Sequence, residues 1–424
     1  MGTGSQTHMG EWWTPEHPER RVFGVLSTAP NGMSLATASP LVDEFGRSIA
    51  IRGRTHDGTP VSLIDCFCAS DAPGFSSLYG SWHAQEFKVG TVLLGGRVGD
   101  DLETRFRFAS VSFSGLSEFV AYRPFRPLRE PNDGHEATIA IDHPRKTQFL
   151  HGNVDITLSV RALDTWSPAS MSAALTTDTW LTFRSQVART VDEWHHDYLR
   201  PVETLVSLGL GRACTVSEVR VLASDTPRTH FEDGGRIAVP PPFVTVLRGE
   251  PLPGSQDARA GSMLFTLEDD VILEAALPRW LDAHGAFRLP IDMYFATVFA
   301  PFMYLESRFL NLVQAAEGYH RLRSLNARQA DAHKRVGLKE RLVDLIGLAR
   351  NQGLKMDAGD DDRFARRVKQ ARDELSHGGL GKQRMSPQDY LSMEHQVEEI
   401  LKACWLHELG VSPNESAKML NRWA

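Results

Sequence analysis

The run Arg372-Asp373-Glu374-Leu375-Ser376-His377-Gly378-Gly379 sets a permanent cation and a titratable ring five residues apart. Such a pair can cleave RNA without a metal. Histidine, with an unperturbed pKa of about 6.5, accepts the 2′-hydroxyl proton or donates one to the leaving oxygen. Arginine stays charged and forks two donors onto the phosphate as negative charge develops there. The RNA supplies its own nucleophile.

Spacing alone says little. With 37 Arg and 16 His in 424 residues, one fixed offset arises by chance about 1.4 times, and Arg328/His333 repeats it. Looser versions occur at Arg145/His151 and Arg189/His195. Context separates the first pair from these. Phe364, Val368, Ala371 and Leu375 form an apolar helical stripe, and Arg372 falls about 70° to its side, at the edge of a packed face. Arg363, Arg366, Arg367 and Lys369 precede it as a basic approach for phosphate. Gly378 and Gly379 end the helix and let backbone come close to a ligand. The same residues also fit a blander arrangement, a helix-terminal histidine complementing the dipole beside a surface ion pair.

Other chemistry lacks an anchor. No H-E-x-x-H, P-loop or G-x-S-x-G occurs. His135-Glu136 and His143 are too far apart for one zinc-binding helical face. His195 and His196 are neighbours and point to different sides of a helix. Gly209-Leu210-Gly211-Arg212 is a dinucleotide-loop fragment without its third glycine. Asp360-Asp361-Asp362 is expected to be a solvated loop. The four cysteines, including the closely spaced Cys66 and Cys68, are expected to be reduced core residues of a cytoplasmic protein. No cofactor is expected.

The charge is unevenly shared. Residues 301–424 hold 20 Lys and Arg against 17 Asp and Glu, leaving −10 on the rest of a chain whose net charge is −7. Between 320 and 372, 14 cations face 7 acids, a local positive field suited to a polyanion. Met293 to Leu305 is apolar but shorter than the roughly 20 residues that span a bilayer, and Pro301 interrupts it. It reads as a buried helix, and no membrane association is expected.

The elements that must position the pair follow from periodicity. Val154, Ile156, Leu158 and Val160 alternate with polar residues, the period of a half-buried strand. Phe106 and Phe108 alternate with arginines, then the pattern slips before Val111 and Phe113, which predicts a bulge. Further strands are expected at 48–54, 60–67, 91–95, 137–141 and 217–222. Trp180, Phe183, Val187 and Val191 predict a helix over roughly Thr177 to Leu208. The turn-rich segment Pro251 to Gly261 is the expected boundary. Beyond it, Leu338, Leu342, Leu345, Ile346 and Ala349 mark one helix. Ser386 and Pro387 open another that buries Val397, Ile400, Leu401 and Cys404, and Gly410 stops it. The expected fold class is α+β multidomain: a β-rich N-terminal domain at 21–260, then an all-α bundle at 261–424. Residues 1–20 are set aside as a leader, which could be vector-derived with Met9 as the native start.

The pattern of arginine, a polar residue and then histidine resembles the signature of the HEPN superfamily. Arg308-Phe309-Leu310-Asn311-Leu312-Val313-Gln314-Ala315-Ala316-Glu317 resembles the early helix of ApeA-like HEPN domains. Leu78-Tyr79-Gly80-Ser81-Trp82 and Glu203-Thr204-Leu205-Val206-Ser207-Leu208 resemble the N-terminal domain found with them in ApeA-like anti-phage defence proteins. The resemblance implies a metal-independent endoribonuclease of abortive infection that acts on RNA, in particular tRNA anticodon loops. It implies a homodimer through the HEPN helices, and restraint by the β-rich half until a phage-derived trigger arrives. It maps the catalytic pair onto Arg372 and His377, with Asp373 as an orienting neighbour and Glu317 as a supporting acid from an earlier helix. Two alternatives stay open: a HEPN module that binds RNA or nucleotide without cutting, and a scaffold that senses a phage protein.

Overall fold

A computed structural model describes residues 6–29, 32–43, 46–76, 80–95, 105–127, 139–167, 172–222, 228–232, 235–239, 243–248, 263–267, 271–326, 336–356, 361–377 and 385–422. The chain forms two compact units and crosses between them several times. One comprises Met1–Ser114, Asp142–His195 and Thr215–Leu252; the other comprises Gly115–Ile141, His196–Cys214 and Pro253–Ala424. The boundary expected at Pro251–Gly261 lies outside the described residues. Two stretches expected in the β-rich half, 115–141 and 196–214, group with the helices instead.

The first unit opens on β1 (Gln6–Trp13), β2 (Val22–Ala29), β3 (Gly32–Thr37), β4 (Ile49–Thr55), β5 (Pro60–Ser76) and β6 (Gly80–Leu94). β1 pairs with β2 and β4, β3 joins β2 to β6, and β5 joins β4 to β6, all antiparallel. Six strands thus close into a ring. Alternation sends one face inward, and Trp12, Leu26, Leu35, Ile51, Leu63 and Phe87 are fully enclosed there. A Cβ on Gly53 would stand 2.3 Å from the Trp12 ring, so the indole needs glycine opposite it. The segment set aside as a leader therefore supplies a barrel strand, because burying Trp12 outweighs its polar company.

After β7 (Phe106–Phe113), the short pair β8 (Phe125–Pro127) and β9 (Ile139–Ile141) belongs to the other unit. Then come β10 (Arg145–His151), β11 (Val154–Ser167), β12 (Ser172–Arg189), β13 (Val216–Leu222), the hairpin of β14 (Arg228–Glu232) and β15 (Gly235–Val239), and β16 (Phe243–Arg248). A sheet continues from the barrel in the order β6-β16-β13-β7-β12-β11-β10. In β7, Phe106, Ala109, Val111 and Phe113 are buried, so the phase slips where the sequence pattern slips. The pairing of β7 with β12 shifts register beside it, between Arg184 and Arg189.

The helix expected from Thr177 is corrected to strand as far as Arg189. Leu181, Phe183 and Ser185 are buried while Arg184 and Gln186 are exposed, a period of two. Thr176, Thr177, Thr179 and Thr182 favour the pleated backbone. Helix begins only after Thr190, which forms a capping box with Glu193.

The second unit contains α1 (Leu116–Val120) and, after α2 (Val191–Trp194) and a π-helical turn at His195–Leu199, α3 (Arg200–Leu210). α4 (Leu273–Ala286), α5 (Arg288–Phe299), α6 (Leu305–Asn326), α7 (Leu338–Asn351), α8 (Asp361–His377), α9 (Pro387–Glu408) and α10 (Pro413–Leu420) follow, with no strand among the described residues. Met293 to Leu305 is not one buried helix. α5 stops at Phe299 before Pro301, and Phe302 and Tyr304 are exposed.

The core of this unit is aromatic. Trp405 of α9 meets Trp280, Tyr294 and Tyr319 edge-on at 6.3, 6.1 and 5.1 Å. Tyr319 donates to Glu408 at 2.6 Å, which pins α6 to α9. The stripe of α7 is buried at all five expected positions. α9 carries the Ser386 cap with Pro387 behind it, and Gly410, at φ 71°, follows its end. No described helix is long and apolar enough to cross a membrane.

Candidate active site

α8 carries the residues singled out by their spacing. Asp361 and Asp362 lie in its first turn, where the dipole favours acids, instead of in a loop. Asp361 pairs with Arg350, and Asp362 with Lys339 and Arg366. Lys339 and Arg366 hold the Asp362 carboxyl below its ordinary range. Among the described residues no group of three or more His, Cys, Asp and Glu is placed to hold a metal.

Ala365, Val368 and Ala371 are fully buried, while Phe364 and Leu375 are half-buried. The inward face therefore points where the sequence stripe points, and it loosens at both ends. Arg372 follows Ala371 at the edge of this face, with 27% of its side chain exposed. Its Nη1 donates to Asp373 Oδ1 at 2.8 Å, and its Nη2 lies 3.7 Å from Oε2 of Glu317 on α6. Asp373 holds the guanidinium along its own helix, Glu317 stands off at longer range, and part of the side chain stays open to solvent.

α6 and α7 bring further charge to this carboxylate. Arg321, one turn beyond Glu317, lies 3.4 Å from Glu317 Oε1. Arg341 of α7 is 4% exposed and donates through Nε to the Val336 carbonyl. Burial and the Arg321 guanidinium pull Arg341 below the usual arginine value, while Glu317 acts the other way. Beside them, the ring of buried His320 is 3.0 Å from Asp344, a link between α6 and α7. Sequence spacing could have found Arg321, at i+4 from Glu317. Nothing in the sequence marks Arg341.

His377 is the last helical residue of α8; its side chain, Gly378 and Gly379 lie outside the described residues, as do Arg328 and His333. The helical backbone itself places positions 372 and 377 about 140° apart around the axis. The basic approach is less open than its charge count implies. Arg366, Arg367 and Lys369 are engaged by Asp362, Asp389 and Asp373.

Other sequence candidates take structural roles. Gly211, at φ 65°, is the left-handed cap that ends α3, so the glycine fragment is a helix terminus. His196 lies in the π-helical turn with Nδ1 3.1 Å from Arg288. All four cysteines are free, and burial pushes the Cys66 and Cys214 thiols up to about 12 and about 11, which makes them poor nucleophiles.

With this geometry in place, two families match the chain. ApeA N-terminal domain 1 matches residues 7–280, well over half of it, and Apea-like HEPN matches residues 310–415, which include α7, α8 and α9. No curated protein and no solved structure matches.

Proposed function

This chain belongs to the ApeA family, its HEPN domain included, and on that premise we propose that it is an endoribonuclease of anti-phage defence. HEPN domains are generally ribonucleases, which supports the reaction class. The observation that carries the reading here is Arg372, held by Asp373 at 2.8 Å and facing Glu317 within the matched HEPN segment.

The reaction needs three acts from the chain. Arg372 spreads its charge over the scissile phosphate as the transition state gains negative charge. His377 accepts the 2′-hydroxyl proton or donates one to the leaving 5′-oxygen. Asp373 is a positioning residue that aims the guanidinium. The 2′-oxygen bonds to phosphorus, the 5′-oxygen bond breaks, and a 2′,3′-cyclic phosphate remains. No metal is required, and the substrate proposed is tRNA, cut in its anticodon loop during abortive infection. The β-rich unit is the proposed restraint and the receiver of a phage-derived trigger.

The separation of about 140° between positions 372 and 377 supports a site shared by two chains. Two copies of α8 meeting at a two-fold axis would bring Arg372 of one protomer to His377 of its partner. Specific activity is then expected to fall when the enzyme is diluted below its dimer dissociation constant, as checked by sedimentation and rate measured together. Full activity per chain in a proven monomer would sink the shared site.

The chemistry is tested by incubating the pure protein with total RNA in EDTA and mapping the ends. Cleavage that persists and leaves 2′,3′-cyclic or 3′-phosphate termini is expected. Strict Mg²⁺ dependence with 3′-hydroxyl ends would overturn the mechanism. Binding without any cutting would point to a non-catalytic RNA module.

A further inference from the structure

Two arginines from two helices flank one carboxylate, and a third, on another helix, lies within reach of its charge. Arg321 and Arg372 lie against opposite oxygens of Glu317, at 3.4 and 3.7 Å, and Arg341 is buried among the same charges. Asp373 is the second acid bonded to Arg372, and it also faces Lys369 at 3.7 Å. The cluster therefore holds four cations and two carboxylates, a net positive pocket edge. Neither Glu317 distance is that of a tight charge-assisted bond, for which about 2.7–2.9 Å is usual. Both guanidinium groups are close enough to be held and loose enough to let go.

This resembles what two arginines do around a phosphate, with Glu317 in the anion's place. Arg321 is 56% exposed on its side chain and so is reachable from solvent, whereas Arg341 is enclosed and bonded to the Val336 carbonyl. The geometry points to Arg321 as a second phosphate-binding residue, gripping the RNA backbone next to the phosphate held by Arg372, with Glu317 occupying the gap until RNA arrives. The inference rests on the reading of α8 as a ribonuclease site and extends that site onto α6. Arg321 is a binding residue here, not a catalytic one; it sets where the strand lies and so which bond reaches Arg372.

The test uses the full-length protein carrying His377→Ala, so that bound RNA stays intact, and a single-stranded RNA oligonucleotide as probe. Losing a charged hydrogen bond to phosphate costs about tenfold or more in affinity. Each phosphate contact contributes about 0.7 to the slope of log Kd against log salt concentration on single strands. Adding Arg321→Ala should therefore weaken binding about tenfold and lower that slope by about 0.7. Arg321→Lys should restore part of both. Glu317→Gln should bind more tightly than its parent, because the competing carboxylate is gone. In the catalytically intact protein, Arg321→Ala should raise KM and leave kcat near its parent's value.

An unchanged Kd and slope for Arg321→Ala would overturn the inference, as would equal or weaker binding by Glu317→Gln. RNA that is bound and cut normally by the intact protein, with no effect at position 321, would end this inference and leave the ribonuclease reading standing. An intact protein that neither binds nor cuts RNA would end both. Arg54→Ala, an exposed arginine in the barrel, serves as the control for net charge and should change neither Kd nor slope.

Discussion

α6 carries two arrangements of arginine and carboxylate, about 13 Å apart along its axis, and they are built to opposite ends. At its start, Arg308 lies 2.7 Å from Glu394 and 2.8 Å from Glu398 of α9, and Lys402 approaches Glu398 at 3.2 Å. Further on, Glu317 stands between Arg321 and Arg372 at 3.4 and 3.7 Å. The arginines do not distinguish the two, since Arg308 and Arg372 are 25% and 27% exposed. The acids do. Glu394 is 5% exposed on its side chain and Glu317 is 26% exposed. An enclosed acid cannot release its arginine without leaving a buried charge behind, so the first network is structural. A half-open acid can exchange its partner for a phosphate.

The largest expected break in this comparison is Arg308→Ala. It strands Glu394 in a dry site and should lower unfolding free energy by on the order of 3 kcal/mol, read by denaturant titration. Arg372→Ala and His377→Ala should do the reverse, costing on the order of 10² in cleavage rate while the protein remains folded. Equivalent changes at Arg328 or His333 should cost much less. If Arg372→Ala unfolded the protein and Arg308→Ala abolished cleavage from a stable fold, the assignment of the two networks would be inverted.

A pH titration sharpens the contrast. Burial alone would push the Glu398 carboxyl up, but Lys402 and Arg308 overcome it and hold the group below the ordinary glutamate range. A depressed folded pKa contributes stability that is present above the unfolded value of about 4.5 and lost as pH falls through the folded one. Acid should thus weaken the protein below about pH 4.5, and Glu398→Gln should flatten that limb. An acid limb left unchanged in Glu398→Gln would contradict the distinction. The smallest effect belongs to the Glu317→Gln change, which should alter stability by less than about 1 kcal/mol, the scale of exposed pairs.

Local periodicity was legible wherever one face of an element is buried. The stripe of α7, the cap of α9 and the phase slip in β7 could all be read from residue order. Trp180, Phe183, Val187 and Val191 misled because a spacing of three and four is the mark of a helix, whereas on the strand Trp180 faces away from Phe183 and Val187 is exposed; only the threonines between them argued for the pleat. Barrel closure was not legible, since β1 meets β4, and β3 meets β6, through pairings no local pattern encodes. The candidate site divides in the same way. Arg372 at the edge of a packed face followed from helical geometry. That Glu317, 55 positions earlier, lies against it depends on how α6 and α8 pack. The count of cations before Arg372 also overstated the free field, because Asp362, Asp389 and Asp373 hold three of them.

The ring of β1 to β6 has a consequence for how this protein keeps to itself. A strand ladder that ends in open air invites another chain to continue it, and each open end is a seed for aggregation. Here one end of a twelve-stranded ladder turns back on β6, so among the described strands the sheet order terminates openly only at β10. That strand begins with exposed Arg145 and Lys146, the charges that make a border hard to extend. Closure at one end and two cations at the other leave this large β structure little open edge on which another chain could build.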